Sequence, residues 1–88
     1  MSQFIQQYAQ QLTDEKAIAY TVRVYGDLRA DGTWEGWIEF TPSDDTQPTL
    51  RTERETTQPN QAALAYWAAG LEPLYLEGAF AGARSKRG

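Results

Sequence analysis

Two stretches of alternating residues, separated by a short turn sequence, constrain the fold of this chain more than any other feature. Apolar and polar residues alternate from Ile18 to Tyr25, and a second alternating stretch runs from Trp34 to Phe40. A period of two is that of a β-strand with one buried face. The sequence therefore predicts two strands joined by the segment DLRADG at residues 27–32.

The register of these strands follows from the rule that directly opposed residues of an antiparallel pair share a face. A two-residue turn at Asp31 and Gly32 would mix buried and exposed positions. A three-residue connection at residues 30–32, with Gly32 in the left-handed conformation, gives consistent faces. The predicted pairs are Val24 with Ile38, Val22 with Phe40, Arg23 with Glu39 and Tyr25 with Trp37.

The segment from Thr56 to Gly82 has the longest helical periodicity. Its apolar residues recur at spacings of three and four, which predicts a helix that begins at Thr57 or Gln58 and has one core-facing stripe. A proline inside a helix removes a backbone hydrogen bond, so we expect a kink or break between Gly70 and Pro73. The predicted stripe is Ala63, Leu64, Trp67, Leu71, Leu74, Tyr75 and Gly78.

Three weaker patterns complete a single domain at residues 1–83. The apolar spacing in residues 2–13 predicts a first helix that ends near Thr13. Residues 41–48 are rich in turn formers and predict a loop, and the charged sequence TLRTERE at residues 49–55 predicts an edge strand. The last five residues, 84–88, lack periodicity and predict a disordered basic tail.

The predicted fold class is α+β. Helix, three strands and helix, in that order, give a two-layer sandwich with a three-stranded antiparallel sheet. We expect both helices to cover the same face of this sheet, which leaves its other face open.

The composition argues against several kinds of site. The chain contains no Cys and no His, which removes thiolate chemistry and sites built on imidazole. No nucleotide-binding or metal-loop motif occurs, so we expect no cofactor and no enzymatic activity. The net charge of −4 disfavours phosphate backbones and anionic lipid. Because no apolar run is long enough to span a membrane and no signal peptide is recognisable, we expect a cytoplasmic protein.

The open sheet face is the predicted functional surface. Tyr25 and Trp37 are expected to lie there with exposed rings, as aromatic anchors do at protein interfaces. The alternative interpretation is a cross-strand pair that only stabilises the hairpin. The functional hypothesis is a regulatory module that binds a protein partner or forms a homodimer through Arg23, Tyr25, Trp37, Glu39 and Arg51.

Scattered basic residues support a second hypothesis, a nucleic-acid-binding domain that recognises RNA. Binding of phosphates would require these side chains to converge although the rest of the chain is acidic. The candidate residues are Arg51, Arg54, Arg84, Lys86 and Arg87.

The predicted order of elements resembles the double-stranded RNA-binding domain family, which implies an RNA-binding surface. That family uses a Lys-rich start of its second helix, where this chain has QPNQ at residues 58–61. Residues 20–64, with a strand, the Asp31-Gly32 turn, a strand and then Ala62, Ala63 and Leu64, are also similar to the core of HicB-type antitoxins. The Pro-Asp-Leu-Pro-Gly segment of that family is absent. This second resemblance implies a toxin-binding or oligomerising module.

Overall fold

A computed structural model describes residues 2–87 and confirms the α+β class. Within this range the chain forms one antiparallel sheet, with two helices packed on it. The strand order is β1-β2-β3-β4, and β5 also pairs with β3. The elements are β1 (Gln3–Thr13), β2 (Ala19–Leu28), β3 (Trp34–Pro42), β4 (Leu50–Arg51), β5 (Thr56–Gln58), α1 (Gln61–Ala69) and α2 (Pro73–Arg87).

The hairpin of β2 and β3 has the predicted register. All four predicted pairs are observed. The backbone N–H of Arg29 donates to the carbonyl of Thr33 (2.7 Å) and closes the turn. Gly32 has a φ of 90°, which is the left-handed conformation that the three-residue connection requires. The register prediction is therefore confirmed.

The N-terminal segment forms β1, so the predicted first helix is wrong. β1 pairs antiparallel with β2, but the register shifts between Phe4 and Gln6 and again between Gln7 and Gln11. Such irregularities insert extra residues and change the spacing of inward positions. An irregular strand can therefore carry its inward-facing apolar residues at spacings of three and four, which is also the spacing that predicts a helix. The prediction placed one helix before and one helix after a three-stranded sheet. In the structure, both helices follow the last strand.

The turn between β1 and β2 explains why a hairpin is possible here. The backbone N–H of Asp14 donates to the carbonyl of Ile18 (3.1 Å), and that of Ala17 donates to the carbonyl of Asp14 (3.0 Å). This bonding pattern repeats that of residues 29–33. The left-handed position is occupied by Ala17, at a φ of 65°. The carboxylate of Asp14 accepts hydrogen bonds from the backbone N–H groups of Lys16 (2.9 Å) and Ile18 (3.0 Å) and thereby stabilises the turn.

Of the edge strand predicted at residues 49–55, only β4 forms, and a second short strand, β5, follows it. Both pair with β3. Between them the buried Thr52 accepts a hydrogen bond from the N–H of Ile38 (3.1 Å), and the N–H of Glu55 donates to the carbonyl of Gly36 (2.8 Å). The chain therefore follows β3 even where the regular pairing is interrupted.

The predicted break in the long helix is confirmed, because α1 ends at Ala69 and α2 begins at Pro73. A proline in the first position of a helix loses no hydrogen bond. The N-cap of α1 is Asn60, not Thr57 or Gln58, and its side chain accepts a bond from the N–H of Ala63 (2.8 Å).

The break also changes which residues of α2 face the core. In α1 the predicted stripe holds, since Leu64 is buried and Trp67 packs against the core. In α2 the buried apolar residues are Leu76, Phe80 and Ala83, whereas Leu74 is 80% exposed, so its predicted core position is wrong. α2 continues through residues 84–87, where we predicted a disordered tail, while residue 88 of that tail lies outside the described residues.

Tyr8 connects β1 to the end of α1. Its hydroxyl donates to the carbonyl of Ala68 (2.5 Å), and burial raises the pKa of Tyr8 from 10 to about 12. A phenol with a raised pKa keeps its proton in the folded state at a pH where the unfolded chain has lost it. The free energy of unfolding should therefore fall as the pH rises from 10 to 12.

Urea denaturation at a series of alkaline pH values tests this prediction. Tyr8→Phe keeps the ring and removes the ionisable group, so its free energy of unfolding should depend less steeply on pH above 10. Equal pH dependence in the wild type and in Tyr8→Phe would contradict the prediction.

Candidate functional site: the odd face of the sheet

Alternation along the strands brings the five predicted partner-binding residues to one face of the sheet. Arg23 lies opposite Glu39, which lies opposite Arg51 on β4, and Tyr25 lies opposite Trp37. Two residues of β1 join this face by pairing with Arg23 and Tyr25. We call it the odd face, after the odd-numbered residues that β2 and β3 contribute, and it includes Phe4, Gln7, Arg23, Tyr25, Trp37, Glu39 and Arg51.

An aromatic row crosses the odd face. The rings of Phe4 and Tyr25 meet edge to face, with centroids 6.1 Å apart and planes at 75°, a favoured geometry for aromatic pairs. Phe4 is 56% exposed, which makes it the most accessible ring of the row. Sequence reasoning missed Phe4 and Gln7 because it assigned β1 to a helix.

Trp37 is not the exposed anchor that the sequence suggested, since only 4% of it is accessible. The guanidinium carbon of Arg51 lies 4.1 Å from the centroid of the indole ring, in cation–π geometry. The indole N–H donates to the carboxylate of Glu39 (3.0 Å). The accessible group at this position is therefore the exposed Arg51, which Trp37 and its neighbours hold in place.

A charged row lies beside the aromatic row. The Nε of Arg23 donates to the side-chain carbonyl of Gln7 (3.0 Å). Across the strands Arg23, Glu39 and Arg51 alternate in sign. These three residues sum to +1, whereas the whole chain carries −4. The odd face thus combines aromatic surface with a local excess of arginine.

The five residues of the nucleic-acid hypothesis are only partly brought together. Arg51, Arg54 and Lys86 line one depression of about 420 Å³, but Glu35 and Glu53 line it as well. Lys86 pairs with Glu53 (2.6 Å), and the hydrogen bond from Lys86 lowers the pKa of Glu53.

Arg84 points to a different part of the surface. It forms an ion pair with Glu15 at the hairpin turn, and the side chain of Arg87 lies outside the described residues. Two of the five basic groups are therefore neutralised by carboxylates of the same chain, which weakens their attraction for phosphate.

A groove of about 470 Å³ lies between α2 and the segment that joins β4 to β5. Its polar groups include Tyr75 and Glu55, which are hydrogen-bonded to each other. Partial burial and this bond raise the pKa of Tyr75 to about 12, so its phenol stays protonated near neutral pH. None of the predicted partner-binding residues lines this groove.

The resemblance to double-stranded RNA-binding domains loses its basis, because it required a helix where the chain forms β1. Among residues 2–87, no group of three or more acidic side chains is arranged to hold a metal ion. Neither α1 nor α2 has the length and apolar character needed to cross a membrane. Comparison of the chain with protein-family models, curated proteins and solved structures found no match.

Proposed function

We propose that this protein is a non-enzymatic binding module that recognises a protein partner through the odd face. The observation that carries the proposal is a row of neighbouring residues across four strands, joined by ring contacts at its two ends and by strand pairing in its middle. It begins at the exposed ring of Phe4, passes through Tyr25 and Trp37, and ends at the exposed guanidinium of Arg51.

The proposal includes an open odd face, with both helices on the opposite side of the sheet. Two helix contacts support this arrangement. Leu64 of α1 lies against Gly26 and Gly36, and Phe80 of α2 packs against Tyr20 and Phe40. All four strand positions are even-numbered, and their side chains alternate with those of the odd face.

The chemistry of the odd face suits a partner segment that carries both apolar side chains and carboxylates. Aromatic and arginine residues dominate the binding energy of protein interfaces. Stacking on Trp37 and the hydrogen bond to Gln7 fix Arg51 and Arg23 before binding, which reduces the conformational entropy lost on association. The charge of the two arginines favours an acidic partner.

Arg51→Glu and Arg54→Glu form a matched pair that tests the proposal. Both arginines are exposed and lie close together in sequence, but only Arg51 belongs to the odd face. Affinity capture from nuclease-treated host-cell extract should identify a partner, and its purified form should bind Arg51→Glu about tenfold or more weakly than wild type. Arg54→Glu should bind like wild type. Equal affinity for both variants, or no partner captured by wild type, would overturn the proposal.

The same two variants also test the nucleic-acid alternative. This alternative is less well supported, because Arg84 and Lys86 form ion pairs with carboxylates of the same chain. If RNA is the ligand, wild type should bind it at low salt, and binding should weaken steeply as salt rises. Both variants should then lose affinity to a similar degree, because each replaces one positive charge with a negative one. Absence of RNA binding at low salt would exclude the alternative.

A further inference from the structure

We propose that two copies of this chain associate through the free edge of β1, in antiparallel orientation, and thereby join their sheets into one. This inference goes beyond the proposed function, because it concerns the backbone edge of β1 and a second copy of the chain. The odd face, by contrast, would bind a different protein through its side chains.

β1 is an unusually open edge. It lies at one end of the strand order and is 11 residues long, about twice the commonest strand length. Residues 3–13 contain no charged residue and no proline. Natural sheets discourage strand addition at their edges with charges, prolines, short strands or bulges, and of these β1 has only the bulges.

The opposite edge of the sheet has such protection. β4 and β5 contain two and three residues, and the connection RTERE at residues 51–55 carries four charges. The contrast within one sheet shows that strand addition is discouraged at one edge and left possible at the other.

The middle of β1 has backbone groups available for a new strand. The register passes from the pair Gln7–Arg23 to the pair Gln11–Thr21. Three residues of β1 therefore face one residue of β2, and within the described pairing none of Tyr8, Ala9 and Gln10 has a partner residue there. Such a bulge leaves extra residues outside the regular ladder, and Ala9 is exposed.

The side-chain pattern of β1 favours a second copy as the occupant. Tyr8 and Leu12 pack on the core side, whereas Gln7 and Gln11 lie on the odd face with Arg23 and Thr21. A two-fold axis that passes through Ala9 places residue i of one copy opposite residue 18 − i of the other. Opposed residues around Ala9 then lie on the same face of the joined sheet, as antiparallel pairing requires. Gln7 would lie opposite Gln11 of the second copy, where two uncharged amides can hydrogen-bond to each other.

Sedimentation equilibrium up to millimolar concentration tests the proposal. Wild type should be a dimer that dissociates on dilution. Gln7→Glu with Gln11→Glu places like charges opposite each other across the two-fold axis and should raise the dimer dissociation constant about tenfold or more. Gln7→Glu with Gln11→Lys places opposite charges there and should retain the dimer. In both variants residue 7 can still accept the hydrogen bond from Arg23.

Thr57→Lys is the control, because it adds a charge to an exposed position of β5 at the other edge, opposite Glu35, and should leave the dimer intact. Amide hydrogen exchange of residues 8–10 should slow as the protein concentration rises. A monomer at every concentration would overturn the proposal. Equal weakening of the dimer by the two double variants, one with Gln11→Glu and one with Gln11→Lys, would also overturn the proposal. The predicted register requires the two variants to differ.

Discussion

Replacing Phe80 by alanine is expected to lower the free energy of unfolding by about 3–5 kcal/mol. Phe80 is 5% exposed, and its ring centroid lies 5.0 Å from that of Tyr20 and 5.1 Å from that of Phe40. It thus joins α2 to two central strands. Domains of this size have a total stability of about 5–15 kcal/mol, so the variant should be close to unfolding at room temperature. Urea denaturation followed by tryptophan fluorescence measures the loss.

Leu74→Ala is the matched control, because Leu74 lies on the same helix and is 80% exposed. Its free energy of unfolding should change by no more than about 0.5 kcal/mol. The two variants together test the orientation of α2, since the sequence alone placed Leu74 in the core. Similar losses in both variants would show that α2 packs in a different orientation.

The two hairpins show how far the sequence predicts the sheet. In the second hairpin, Gly32 occupies the left-handed position and signals the turn, so the register could be derived. In the first, the same bonding pattern occurs with Ala17 in that position. A non-glycine residue there is uncommon, and the Asp14 side chain supports it through hydrogen bonds that depend on the folded turn. The first turn therefore contains no glycine that would indicate a hairpin, and β1 could not be derived in the same way.

The orientation of α2 was unpredictable for a related reason. Pro73 and Gly70 indicated the break, but the number and conformation of the residues between the helices determine the rotation of α2 relative to α1. Residues 70–72 are not helical, so the 3.6-residue period cannot be continued across them. Extending the stripe of α1 through the break placed Leu74 in the core instead of Leu76.

The sequence predicted the members of the odd face on β2, β3 and β4, but not those on β1 and not the accessibility of the face. Alternation on β2 and β3 places Arg23, Tyr25, Trp37 and Glu39 together regardless of the rest of the fold. The position of Arg51 depends on the register of β4 against β3, and the long connection at residues 43–49 does not specify that register. The burial of Trp37 under Arg51 therefore could not be derived from the sequence.

Two glycines opposite each other in the central hairpin are expected to be coupled energetically to one leucine of α1. Gly26 and Gly36 form a directly opposed pair, and Leu64, which is fully buried, lies over both. A Cβ atom at Gly26 would lie 2.4 Å from one methyl group of Leu64, and a Cβ at Gly36 would lie 2.6 Å from the other. Both glycines are thus explained by the close approach of α1 to the sheet.

A double-mutant cycle measures this coupling. Gly36→Ala should lower the free energy of unfolding by about 1–3 kcal/mol through overpacking, and Leu64→Ala should lower it by about 2–5 kcal/mol by leaving a cavity. In the double variant the new methyl group enters the space that Leu64 vacates. Its loss should therefore be smaller than the sum of the single losses by about 1 kcal/mol or more.

Gly78→Ala shows whether the effect is specific to this contact. Apart from its chain neighbours and the adjacent backbone of α2, no atom lies within 4 Å of a Cβ built at Gly78, so alanine should stabilise the helix by about 0.5–1 kcal/mol. If Gly36→Ala were equally harmless, or if the cycle were additive, Leu64 would not occupy the space above the two glycines. Destabilisation by alanine at Gly36 and stabilisation at Gly78 would instead show that contact with Leu64 decides the sign of the effect.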